Sequence, residues 1–163
     1  MIRRSGVATL GIALAVSVTA CASDDSGELD FGGDPVTQCV RIAEDSSMVV
    51  GAVVRAPAGA DLVIKNLSLE EPQGVQATEA FVVLLNGRAP ILNANYPPST
   101  NQTWESRIPA AKATVRAGEE ANLLVVVKRG ALDGSAAGMR LDYDGGSQTN
   151  STTYQFRANC GAA

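Results

Sequence analysis

Histidine is absent from this 163-residue chain. Its absence removes the commonest general base, the Ser–His and Cys–His nucleophile systems, and the commonest nitrogen ligand for zinc or copper. Methionine is scarce. After Met1 only Met48 and Met139 occur, both within apolar runs, so a copper carrier would lack its soft ligands. Aromatic residues are few (one Trp, three Tyr, three Phe), which leaves Val, Leu, Ile and Ala to fill a core. Long apolar runs are missing too. The uncharged stretch Ser5–Ala20 is 16 residues, interrupted by Gly6, Gly11 and Ser17, and falls short of the roughly 20 that span a bilayer.

Basic side chains are also in the minority, 13 against 17 acidic. Residues 1–20 hold Arg3 and Arg4 and no acid, so the rest of the chain carries 11 basic and 17 acidic side chains, a net charge near −6. That balance argues against nucleic acid and against adhesion to anionic lipid by charge.

What the first segment does contain is an export signal: Arg3 and Arg4, the uncharged run, then the small residues Thr19 and Ala20 before Cys21. Val18-Thr19-Ala20-Cys21 resembles the lipobox of bacterial lipoproteins. The resemblance implies a signal peptide over 1–20, a diacylglyceryl group on the Cys21 sulfur, cleavage before Cys21 and acylation of the new amino group. Such a protein is expected on the extracytoplasmic face of the cell membrane, anchored by lipid. An ordinary cleaved signal and an uncleaved anchor are the alternatives.

With Cys21 given to lipid, Cys39 and Cys160 remain. An exported protein meets an oxidising compartment, so a Cys39–Cys160 disulfide is expected, with two free thiols as the alternative. Closing a loop of roughly 120 residues is worth about 5 kcal/mol in the chain-entropy model. A catalytic pair usually has its cysteines two residues apart, which these are not.

Residues 22–38, ASDDSGELDFGGDPVTQ, have five acids, three glycines and a proline, with only Leu29, Phe31 and Val36 as larger apolar residues. Such a segment cannot bury enough surface to fold alone, and 21–38 reads as the lipidated cysteine and an acidic flexible linker. The folded domain is expected over 39–163. From Cys39 the dominant period is two, with strands at 39–43, 48–55, 62–69, 80–85, 113–116, 123–128, 139–143 and 152–158. The apolar positions Leu62, Ile64, Leu67 and Leu69 change face near Asn66, which predicts a bulge there. About eight strands with turn signals every 8–12 residues read as all-β, an immunoglobulin-like antiparallel β-sandwich.

Two constellations bear on chemistry. Asp142 and Asp144 are two apart, on one face of a strand, with Asp133 upstream, and glycosidases need only two carboxylates. Asp144, however, opens an Asp-Gly-Gly turn, where acids solvate or cap. The same stretch lacks the third acid and terminal Glu of a calcium loop. No catalytic residue, metal or cofactor is expected. The second constellation is the loop from Gly87 to Thr103, which ends at Trp104. Tyr96-Pro97-Pro98 makes a rigid apolar ridge flanked by Arg88 and Arg107, and Tyr, Trp and Arg are residue types enriched at binding hot spots. Either these residues form a binding surface, or Trp104 plugs one end of the sandwich with Tyr96 over it.

Tyr96-Pro97-Pro98 followed by Trp104, the block RIPAAKATVRAGEEANLLVVV over 107–127, and the terminal aromatic strand running to Cys160 resemble a class of actinobacterial exported proteins and lipoproteins. The likeness spans most of 39–160 and implies an architecture without a mechanism. The expectation is a membrane-anchored envelope lipoprotein whose sandwich binds or scaffolds, with an envelope protein or wall glycan as partner. A carrier of a small apolar or lipidic ligand is the alternative, and a histidine-free hydrolase a more remote one.

Overall fold

Alternation of buried and exposed side chains carries the fold. The computed structural model describes residues 29–161; the expected signal peptide over 1–20, the expected lipidation site Cys21 and the first part of the expected linker lie outside the described residues. In chain order the strands are β1 (Asp30–Phe31), β2 (Val36–Arg41), β3 (Ser47–Arg55), β4 (Leu62–Glu70), β5 (Val75–Leu84) and β6 (Asn93–Asn95). There follow β7 (Ile108–Pro109), β8 (Thr114–Val115), β9 (Glu120–Arg129), β10 (Gly134–Ala136), β11 (Gly138–Tyr143), β12 (Gly146–Thr149) and β13 (Thr152–Arg157). All eight expected strands are present, and five short ones join them. One four-residue helix, α1 (Gln102–Glu105), and a 3-10 turn at Ala110–Lys112 interrupt the strands.

The chain forms a β-sandwich. One layer is a six-stranded sheet in the order β1-β3-β9-β5-β7, with β6 also pairing β3. Facing it are a four-stranded sheet, β12-β11-β4-β8, and a three-stranded sheet, β10-β13-β2. The core between the layers takes Val50, Ala52 and Val54 from β3 and Leu123, Val125 and Val127 from β9. Ile64, Leu67, Met139, Leu141, Tyr154 and Phe156 meet them from the opposite sheets. The expected bulge is there: Asp142 pairs with Asn66 but Tyr143 pairs with Ile64, so Lys65 is the extra residue. It turns Leu67 and Leu69 back to the face already held by Leu62 and Ile64.

Four expectations need correction. The domain begins by Leu29 rather than at Cys39. Asp30 and Phe31 pair with Arg55 and Val54, and Leu29 and Phe31 are buried. A segment too polar to fold alone needs only two apolar anchors once a core exists to receive them. Pairing is not wholly antiparallel, since β2 runs parallel to β13 over six residue pairs, from Val36 with Thr152 to Arg41 with Arg157. The strand expected at 80–85 starts earlier, at Val75, because Gln76 and Ala77 continue the ladder to β9 although their side chains are exposed. Lastly, β3 and β9, and β5 at Val82 and Val83, are buried on both faces rather than one, for a reason that defines the candidate site.

The Cys39–Cys160 disulfide is formed, with Cα atoms 5.8 Å apart across a sequence separation of 121. It ties the strand that enters the sandwich to the segment that leaves it.

Candidate functional site

Glycine in a Val-rich strand leaves a flat place on a sheet. At Gly51 of β3 an added Cβ would lie 2.0 Å from the Ile91 carbonyl oxygen, so the chain segment above can approach only because no side chain is there. The Gly51 N–H donates to the Leu92 carbonyl at 2.8 Å. Beside it on β9 sits Asn122, fully buried. Its side chain accepts a hydrogen bond from the Ile91 N–H at 2.6 Å and donates to the Ala52 carbonyl at 3.2 Å. Asn122 supplies hydrogen bonds that a purely apolar β9 could not offer a crossing segment.

Pinned at that point, residues 87–107 lie across the outer face of the six-stranded sheet. They form a second core there: Val49, Val83, Leu124 and Val126 from the strands, Ile91 and Trp104 from the segment, with Phe81, Ala94 and Tyr96 at its margin. Trp104 is buried, 4% exposed. Phe81 and Tyr96 meet its ring edge-on, with centroids 5.3 and 5.9 Å away. The Arg107 guanidinium lies 4.3 Å from the Trp104 centroid and 5.4 Å from that of Phe81, and Arg107 donates to the Trp104 carbonyl. Trp104 is thus held by α1, whose N-cap is the Asn101 side chain accepting from the Thr103 N–H at 2.9 Å.

Of the sequence-predicted residues, Tyr96, Trp104 and Arg107 do come together. Trp104 packs across a sheet face rather than plugging an end. Pro98 is buried, while Pro97 is exposed after a cis Tyr96–Pro97 bond. Half-buried Tyr96 donates its hydroxyl hydrogen bond to Glu79 at 2.8 Å. That bond, with some burial and the Glu79 charge, raises the tyrosine pKa above its ordinary value, and Arg107 opposes the rise. Arg88 sits apart at the base of the segment, donating to Ser106 at 2.7 Å. The segment is not structureless, since it contains β6, paired with β3, and α1. Gly51 and Asn122 escaped sequence reading, although an Asn and a Gly inside apolar strands were the available signal.

The carboxylates are engaged elsewhere. Asp142 accepts from Arg140 at 3.0 Å and from Asn66 at 3.3 Å. Asp144 pairs with Lys65 at 2.6 Å and opens the turn between β11 and β12, where Gly145 has φ +106°. Asp133 pairs with the buried Arg129 at 2.9 Å, i to i+4. Among the described residues no group of three or more His, Cys, Asp or Glu gathers to hold a metal ion. Nor is any helix among them long and apolar enough to cross a membrane. No protein-family model, curated protein or solved structure matches the chain.

Proposed function

We propose that the chain is a lipoprotein of the cell envelope, held at the extracytoplasmic face of the membrane by lipid on Cys21. Its sandwich acts as a non-catalytic binding or scaffolding module. The anchor rests on Val18-Thr19-Ala20-Cys21. The binding role rests on one observation: exposed Pro97 and Arg107, with half-buried Tyr96, stand on a buried Trp104 support rather than on a loose loop. A partner meeting that surface has little loop ordering to supply, which is the advantage of preorganisation. An envelope protein or a wall glycan suits such a surface, with Tyr and Arg for contact.

The test is crosslinking in intact host cells with a C-terminal tag, followed by mass spectrometry of what is recovered. The paired variant carries Arg107→Glu, at an exposed position of the proposed surface. The expected result is a partner lost from the variant while its melting temperature stays within a few degrees of the parent. A partner retained by the variant overturns the ridge. For the anchor, Cys21→Ser should release the protein or leave an unprocessed precursor. A processed product that Cys21→Ser still leaves on the membrane overturns lipidation.

The carrier reading draws its support from a different place, a recess on the open side of the sandwich.

A further inference from the structure

Neither short edge strand covers the middle of β3. Strand β1 pairs with it only at Val54 and Arg55, and β6 only at Met48 to Val50. Between them, at Gly51 to Val53, a recess of about 390 Å³ enters the sandwich on the side shared with β2. That volume lies within the roughly 300–1,000 Å³ of small-molecule pockets.

The walls are of two kinds. Val36 and Leu92 form an apolar rim, each 54% exposed, an unusual outlay of large apolar surface on one opening. Ala52 and Tyr154 form the floor, and both belong to the core between the sheets, so the recess reaches that core. Small residues make the space: Gly32 and Gly33 border it, and nothing lies within 4 Å of a Cβ built at Gly33. The charged groups on the lining are Asp30, Glu120 and Arg55, with Arg55 already paired to Glu120. The mouth therefore carries one more negative charge than positive. An anionic head is repelled there, and a cationic one is drawn in.

We propose that this recess binds a small amphipathic molecule with a cationic head, its apolar body between Val36, Leu92 and Ala52 and its head beside Asp30 and Glu120. The site lies apart from the Tyr96–Arg107 ridge, so the two readings fail independently.

The experiment is NMR titration of the folded chain from residue 22 onward with decyltrimethylammonium and, in parallel, with decanoate, each below its micellar range. The expected result is saturable shifts with decyltrimethylammonium at the amides of Gly32, Gly33, Ala52 and Val53, and binding at least tenfold weaker for decanoate. Ala52→Leu fills the floor and should abolish the shifts. Because a core change can also disturb folding, Leu92→Ser at the exposed rim is the second variant. It should weaken binding about fivefold or more, the loss expected from one apolar wall. Equal binding of decanoate at the same amides overturns the cationic assignment. Shifts that do not saturate, that map elsewhere, or that survive Leu92→Ser undiminished overturn the site.

Discussion

The side chain of Asn122 on β9 accepts a hydrogen bond from the backbone N–H of Ile91 at 2.6 Å, thirty-one residues away in sequence. The same amide donates to the Ala52 carbonyl on β3, so one buried side chain joins two strands and the segment that crosses them. Asn122→Ala strands the Ile91 N–H in a dry interior, at a cost of about 1–3 kcal/mol. The effect should be local as well as global. Hydrogen exchange at Ile91 and Leu92 is expected to accelerate more than at Val125 in mid-sheet. Equal acceleration throughout would show that Asn122 does not pin the segment.

Trp104 tests whether that second core stabilises the sandwich. Trp104→Ala removes the largest side chain of the cluster and should cost about 3–5 kcal/mol. For a domain of this size that is a fall on the order of 10–20 °C in melting temperature. Tyr96→Phe keeps the ring against Trp104 and deletes only the bond to Glu79, so its cost should stay under about 1 kcal/mol. Calorimetry on the pair separates packing from hydrogen bonding. A Trp104→Ala variant as stable as the parent would contradict the burial.

Gly51 should not tolerate even a methyl group. The Cβ of Gly51→Ala would sit 2.0 Å from the Ile91 carbonyl oxygen and 2.9 Å from Leu124. The carbonyl is backbone and cannot rotate away, so the segment must lift. The expected loss is on the order of 2–4 kcal/mol, with the single tryptophan more open to acrylamide quenching. Unchanged quenching in a destabilised variant would place the damage inside the sheet instead.

Two tyrosines should lower stability at alkaline pH. Burial raises the Tyr154 pKa above 10.0, against the hydrogen bonds from Asn150 and Thr152. The bond to Glu79 raises that of Tyr96. In both cases the folded chain holds its proton more tightly than the unfolded chain does. Their contribution is whole below about pH 10 and is lost as pH climbs through the raised folded values. Urea midpoints should therefore fall from pH 9 to pH 11, and fall less steeply in Tyr154→Phe and Tyr96→Phe. Parallel slopes in parent and variants would remove the tyrosines as the cause.

What the sequence made legible follows the range of the interactions. The eight strands expected from the sequence and the bulge at Lys65 are written locally, in the spacing of apolar residues along one strand. Strand β1 is not, because five acids and three glycines around it outweigh Leu29 and Phe31 until a core exists to bury them. The partnership of Gly51, Ile91 and Asn122 is likewise invisible locally, since each member gains meaning only from the other two. One clue was available. Met48–Val50 and Leu123–Val127 are continuous apolar runs rather than alternating ones, and a continuous run marks a strand covered on both faces. Tyr96, Trp104 and Arg107 gather as their types suggested, but the tryptophan faces inward.

The bridge from Cys39 to Cys160 has a mechanical meaning. Tension applied between the residues before Cys39 and those after Cys160 crosses the sulfur–sulfur bond and bypasses everything between them. Strand β1 and residues Val36–Gln38 of β2 lie ahead of the bridge and can peel away from β3 and β13, yielding a short extension. Beyond that point the load runs through covalent bonds alone. The 121-residue loop, with both layers of the sandwich, stays slack. A chain held at its front end and dragged by its tail therefore gives a little and then stops, its core unstretched.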